Sequence, residues 1–140
     1  MPKNARHLSP PIEREDAPCR RDEDLLGIVP RNRRQPYNMR KLLEMVADKG
    51  STFEIQPMFA RAVITSLGRM NGKVVGFVAN NPMINGGAMD ARSAKKQAHF
   101  IQLCEPFHTP PVFLVDVPGF NGGRPAGPQA AVPRRRRPVR

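Results

Sequence analysis

Apolar positions along the middle of the chain follow two spacings, one helical and one extended. Met39, Leu42, Leu43 and Val46 recur at helical spacing. Asn38 stands where a capping side chain belongs and Gly50 where a helix stops, which predicts a short helix over 39–48. Residues 62–70, with Val63, Ile64 and Thr65, read as a strand. Asn71-Gly72 follows, the pair a type I′ hairpin favours because both central positions need positive φ. Residues 73–79 then form the return strand. Val74, Val75, Phe77 and Val78 make it apolar on both faces, as a strand buried at the centre of a sheet should be.

Asn80-Asn81-Pro82 ends that strand and Gly86-Gly87 makes a flexible turn. Asp90 caps a predicted helix over 91–104. Its expected buried stripe is Ala94, Ala98, Ile101 and Cys104, with Arg92, Lys95, His99 and Gln102 on the wet side. Pro106 and Pro110-Pro111 break the chain, and residues 112–117 form another buried strand running into Pro118-Gly119-Phe120. The order is strand, strand, helix, strand. The helix serves as the crossover, so the last two strands should be parallel and the connection right-handed. The fold class is α/β, and the unit is incomplete. A helix returning over the sheet is expected after Val117, but the sequence turns to Gly, Pro and Arg. The sheet should then lack its third layer, and the isolated chain should be only marginally stable.

Charge adds a second picture. The 140 residues carry a formal net charge of +11, and the last twenty hold six arginines and no acid. With Pro125, Pro128, Pro133 and Pro138 in the same stretch, residues 121–140 bury too little to offset their own ordering entropy. They are read as a disordered tail, and residues 1–21, which show no period, as a disordered N-terminal segment. That leaves 22–120 to fold. Arg134–Arg137 could hold nucleic acid or another polyanion. A tail with no selected role is the plainer account, since no aromatic residue interleaves the arginines to stack on bases. Cys19 and Cys104 offer neither a disulfide framework nor metal spacing. No apolar run is long enough to span a membrane and no secretory leader is visible, so a cytoplasmic location is the expectation.

The middle of the chain resembles the carboxyltransferase (β) subunits of biotin-dependent acyl-CoA carboxylases, of the propionyl-CoA and methylmalonyl-CoA type. The runs that carry the resemblance are Asp24-Leu25-Leu26-Gly27-Ile28-Val29-Pro30, Arg34-Gln35-Pro36-Tyr37-Asn38-Met39-Arg40, Gly68-Arg69-Met70-Asn71-Gly72 and Val78-Ala79-Asn80-Asn81-Pro82. Further along come Asp90, Ser93-Ala94-Lys95-Lys96, Phe100-Ile101-Gln102-Leu103-Cys104 and Leu114-Val115-Asp116-Val117-Pro118-Gly119-Phe120. They keep the family's order over 22–120. The resemblance implies a crotonase-like spiral of ββα units. It also implies a subunit of two domains, one holding acyl-CoA and one holding carboxybiotin delivered by a partner subunit, within a homo-oligomer. Residues 22–120 would be the connector and the opening of the second, biotin-facing domain.

In that chemistry carboxybiotin releases carbon dioxide and an acyl-CoA enolate captures it. Two oxygens carry transient charge, and each needs preorganised N–H donors. Glycine turns suit that task because main chain can approach a ligand there. The C-terminal edge of parallel strands is where open α/β sheets bind ligands. Pro118, Gly119 and Phe120 are therefore candidates for the biotin pocket, against a plain strand-to-loop turn. Asn80 and Asn81 end the neighbouring strand at the same edge, where a strand-end cap is the simpler role. Gly86 and Gly87, with Ala88, could present N–H groups, or be only a flexible loop. Asp116 is read as a carboxylate satisfied by nearby backbone rather than as a base. Cys104 is read as a buried thiol, His99 and His108 as surface residues. Lys95 and Lys96 are read as a solvated helix face before a site for CoA phosphate.

The sequence departs from the family on both sides of this region. The acyl-CoA domain and the later ββα units, including the second glycine turn, have no counterpart. Gly123–Pro128 reads like another frame of a GC-rich gene. The chain should therefore lack carboxyltransferase activity by itself. Two other readings stand beside this one: a basic nucleic-acid-binding module, and an assembly fragment that docks on full-length subunits.

Overall fold

In the computed structural model the described residues are 23–32 and 35–120. The expected disordered ends, 1–21 and 121–140 with Arg134–Arg137, lie outside them. One helical turn, α1 (Leu25–Ile28), precedes α2 (Met39–Val46). Then come β1 (Phe53–Ile55), β2 (Val63–Met70), β3 (Lys73–Asn80), α3 (Ala91–Cys104) and β4 (Pro111–Leu114). The strands form one sheet in the order β1-β2-β3-β4. β1 and β3 run antiparallel to β2, and β4 runs parallel to β3 with Gly76 opposite Pro111 and Ala79 opposite Leu114. The expected parallel pairing through a crossover helix is present.

Local chemistry explains most boundaries. The Asn38 side chain accepts from the N–H groups of Arg40 and Lys41, and the Asp90 carboxylate accepts from Ser93 N–H at 2.7 Å. Asn71 and Gly72 take φ of 58° and 76°, as a type I′ turn requires. The Asp48 carboxylate holds that turn, accepting from the N–H groups of Asn71 and Gly72 at 2.9 and 2.8 Å. This anchoring is one reason α2 stops at Val46, two residues short of the predicted end. Ala47 turns extended and frees Asp48 to face the hairpin, while Gly50 serves the following turn at φ +64°.

The core lies on both faces of β2 and β3. On one face Met39, Leu43 and Ala47, from α2 and its C-terminal end, cover Ile64, Val75, Phe77 and Ala79, with Val112 and Leu114 at the margin. On the other, Phe100 and Cys104 of α3 cover Val63 and Val78. Phe77 is wholly buried, a burial worth roughly 1.5–3 kcal/mol. Gly76 lets α3 come this close: a Cβ there would lie 2.7 Å from Cys104 Sγ and 3.1 Å from Phe100.

Three expectations are corrected, and one strand is new. The third layer is present, because α2 supplies it from before the sheet instead of a helix following β4; the bare surface lies at the β4 edge, where Phe113 and Val115 are exposed. β4 ends at Leu114 rather than 117, because its partner β3 ends at Asn80 and the Asn80 side chain takes the Asp116 N–H instead. The three-residue β1 was not anticipated; it pairs with 65–67 of β2. The buried stripe of α3 is Ser93, Lys96, Phe100 and Cys104, while Ala94 and Ala98 are exposed and Ile101 is half-buried. Lys96 is the unexpected member. Its ammonium donates to the carbonyls of Phe59 and Val63 at 2.9 and 2.8 Å. It thereby pins the turn entering β2 to α3.

Candidate functional site

Parallel pairing brings the C-terminal ends of β3 and β4 side by side, and the residues there are tied together by side chains. Asn80, 5% exposed, accepts the Asp116 N–H on Oδ1 and donates from Nδ2 to the Gly87 carbonyl, both at 3.2 Å. One buried amide thus joins the end of β3, the loop after it and the chain leaving β4. Gly87 has φ +82°, and a Cβ on it would lie 3.0 Å from the Asp116 carbonyl oxygen. Met89 N–H donates to the Gly119 carbonyl at 3.1 Å, and Met89 bridges Phe120 in parallel fashion. The loops 85–89 and 115–120 therefore run together along the edge.

All seven residues singled out in the sequence fall on this edge, in two kinds of place. Asn80, Asn81 and Gly87 are buried. Asn81 donates to the Arg61 carbonyl at 2.9 Å and accepts from Met83 N–H, so it caps the strand end as its simpler role proposed. Gly86, Pro118 and Phe120 are exposed, and Gly119 is half-buried. The N–H groups of Gly87 and Ala88 donate internally to Ile84 and Asn85. They are not the free donors anticipated for this turn, and Gly86, at φ +62°, is the glycine that borders the open space.

That space is a depression of about 820 Å³. Gly86, Pro82 and Met83 form one wall and Asp116, Val117 and Pro118 another, with the connector residues Val29, Pro30, Pro36 and Tyr37 opposite. The sequence did not point to the connector. Tyr37 is the chain's sole tyrosine, and its hydroxyl donates to Asp116 Oδ2 at 2.8 Å across 79 residues. Partial burial, helped by this bond and the nearby negative charge, pushes its pKa up to about 12. Tyr37 therefore keeps its proton at neutral pH and acts as a donor. Asp116 is satisfied as expected, by the Tyr37 hydroxyl rather than by backbone.

Elsewhere, Arg40 makes a two-armed ion pair with Glu54 at 2.7 and 2.9 Å, joining α2 to β1 beside a smaller hollow of about 170 Å³. Cys104 is a buried free thiol whose pKa burial pushes up, which removes nucleophilic character at neutral pH. His99, His108 and Lys95 are exposed. Among the described residues no group of His, Cys, Asp and Glu could hold a metal ion, and no helix is long and apolar enough to cross a membrane.

An α/β unit with its loops gathered at one edge of parallel strands defines a ligand-binding class of fold. Comparison with known proteins narrows it. The model of the carboxyl transferase domain matches residues 1–127, so the likeness reaches beyond 22–120 at both ends. The chain belongs to that family. It is 37% identical over 123 residues to the methylmalonyl-CoA decarboxylase subunit alpha of Veillonella parvula, covering 88% of this chain and 24% of that one. It is 37% identical over 123 residues to the mitochondrial propionyl-CoA carboxylase beta chain of Homo sapiens, covering 88% and 23%. Among solved structures it superposes on transcarboxylase 12S, described as a hexamer assembly with hydrolysed methylmalonyl-coenzyme A bound, with a TM-score of 0.83 and 32% identity over 88% of this chain and 24% of that one. A single-chain, multi-domain long-chain acyl-CoA carboxylase matches with a TM-score of 0.69 and 37% identity over 71% of this chain and 10% of that one. The fold is a partial crotonase-like α/β unit. The chain spans about a quarter of the length of the curated relatives it matches.

Proposed function

We propose that this chain is the opening of the biotin-facing domain of an acyl-CoA carboxylase carboxyltransferase subunit. In the whole enzyme it would help pass a carboxyl group from carboxybiotin, delivered by a partner subunit, to an acyl-CoA such as propionyl-CoA. The observation that carries the reading is the shared edge of β3 and β4, where Asn80 locks both strand exits beside an open depression. Its walls suit the ligand. Proline, valine and methionine side chains and glycine main chain offer apolar surface to a small fused bicyclic ring, and the Asp116 carboxylate offers an acceptor to a ring N–H. The pocket candidates are Asn80, Asn81, Gly86, Gly87, Pro118, Gly119 and Phe120. Gly86, Pro118 and Phe120 would touch the ligand, and the buried three would hold the loops in place. When bound, carboxybiotin supplies the carboxyl group. The chain's own part is to position it and exclude water; Tyr37, with its proton retained, orients Asp116 rather than abstracting a proton.

By itself the chain would be inactive, since loss of a set of oxyanion donors costs orders of magnitude in rate. The test is carboxylation of propionyl-CoA by purified chain supplied with free carboxybiotin. No product above the uncatalysed rate is expected, and measurable turnover would overturn this part of the reading.

A further inference from the structure

Tyr37 and Asp116 both line the depression, Tyr37 half-buried and Asp116 exposed. Resting on the biotin-facing role proposed for this edge, we propose that the pair sets which way round the ring docks. The ring nitrogen opposite the carboxylated one donates to Asp116 Oδ1, and Tyr37 is the positioning residue that holds that oxygen in place. The Tyr37 hydroxyl donates to Asp116 Oδ2 at 2.8 Å. The main chain of Asp116 is fixed as well, since its N–H donates to the buried Asn80 side chain at 3.2 Å. One carboxylate oxygen is therefore occupied, and Oδ1 meets no donor among the described residues. An exposed aspartate otherwise turns freely about two side-chain bonds. The bond from Tyr37 removes that freedom, so the acceptor is preorganised before a ligand arrives. The hydroxyl keeps its proton until about pH 12, so the bond holds across the neutral range.

With its proton committed to Asp116, the phenol leaves only its oxygen lone pair to a ligand. The pair thus offers acceptors and no donor. A cyclic urea carries two ring N–H groups. Carboxylation replaces the hydrogen on one nitrogen by a carboxylate, and only the opposite N–H can still donate. Docked the other way round, the ring would set its own carboxylate against that of Asp116, with acceptor facing acceptor and like charge facing like charge. One orientation therefore serves the ring with and without its carboxyl group. It also directs that group away from Asp116.

The test is titration of the full chain with three neutral ligands, read by calorimetry. They are biotin methyl ester, its derivative methoxycarbonylated on the nitrogen that takes up the carboxyl group, and its derivative methylated on the opposite nitrogen. The first derivative should bind within about threefold of biotin methyl ester and the second about tenfold more weakly, the scale of one hydrogen bond to a charged acceptor. Tyr37→Phe, with circular dichroism confirming the fold, should shrink that tenfold ratio to about two- to threefold, because Asp116 regains its freedom to turn. A merely structural role for Tyr37 would weaken all three ligands alike and leave the ratio unchanged. Asp116→Ala, at an exposed position, should abolish the ratio. Equal losses for the two derivatives, or a larger loss for the first, overturn the orientation while the biotin-facing role stands. A ratio that survives Asp116→Ala overturns it too, and a ratio unchanged in Tyr37→Phe overturns the positioning role. Binding of none of the three overturns the biotin-facing role itself, and the orientation with it.

Discussion

Replacing Lys96 by Met keeps an unbranched side chain, one heavy atom shorter, and removes its ammonium. The carbonyls of Phe59 and Val63, now bonded at 2.9 and 2.8 Å, would lose their donor. Hydrogen bonds to a charged group contribute about 1.5–3 kcal/mol each, so two are worth roughly 3–6 kcal/mol. Part of this is offset, because the ammonium no longer has to be stripped of water and Met packs well in that volume. A net loss of about 2–4 kcal/mol remains, a large fraction of a typical 5–15 kcal/mol. Urea unfolding followed by circular dichroism reads it as a midpoint lowered by about 1–2 M at unchanged slope. The pH dependence is a second check. Burial pushes the Lys96 amine below its ordinary 10.5. Just under that pH the unfolded chain then binds more protons than the folded one, so the wild type's advantage over Lys96→Met should grow as pH rises toward 10.5. A midpoint unchanged within error, or raised, would refute the claim that this buried lysine ties α3 to the turn before β2.

Tyr37 titrates from 10.0 when unfolded to about 12 in the fold, so its contribution is complete below pH 10 and lost between 10 and 12. Allowing for its partial exposure, the loss is about 1 kcal/mol. Phenolate absorbance reports this residue alone, and Asp116→Asn should lower the midpoint; an unchanged midpoint would dissolve the pair. Gly76→Ala should cost about 1–3 kcal/mol by driving a methyl group into Cys104 and Phe100. Cys104→Ala in the same chain should recover part of it, and simple additivity in thermal melts would contradict the close approach. Gly87→Ala, with positive φ and the Asp116 carbonyl 3.0 Å away, should destabilise by about 1–2 kcal/mol. It should also displace the amide resonance of Asp116, and silence at Asp116 would refute the contact.

Elements were legible where capping and turn chemistry act over a few residues. Asn38, Asp90 and Asn71-Gly72 marked their positions because side chain and backbone meet locally. The helix 91–104 was placed correctly, yet its buried face was misread. Apolarity pointed to Ala94 and Ala98, whereas the face is set by Phe100 and Cys104 against Gly76, with Lys96 buried because two carbonyls from a distant turn receive it. Nothing near Lys96 in the sequence signals those carbonyls. β1 was invisible because three residues give too little alternation to count. The edge that gathers the candidate site was legible, since strand order and crossover place β3 and β4 in parallel. Its opposite wall was not: Tyr37 reaches Asp116 across 79 residues, and only folding creates that proximity.

The central claim is that the loops after β3 and β4 face a biotin ring. Titrating isotope-labelled chain with biotin methyl ester, followed by amide nitrogen–proton correlation spectra, tests it most directly. The account predicts saturable shifts concentrated at Gly86 and at Asp116, Val117, Gly119 and Phe120, weakened by Asp116→Asn. Spectra unmoved at saturating ligand, or shifts centred on the Arg40–Glu54 hollow instead, would contradict it.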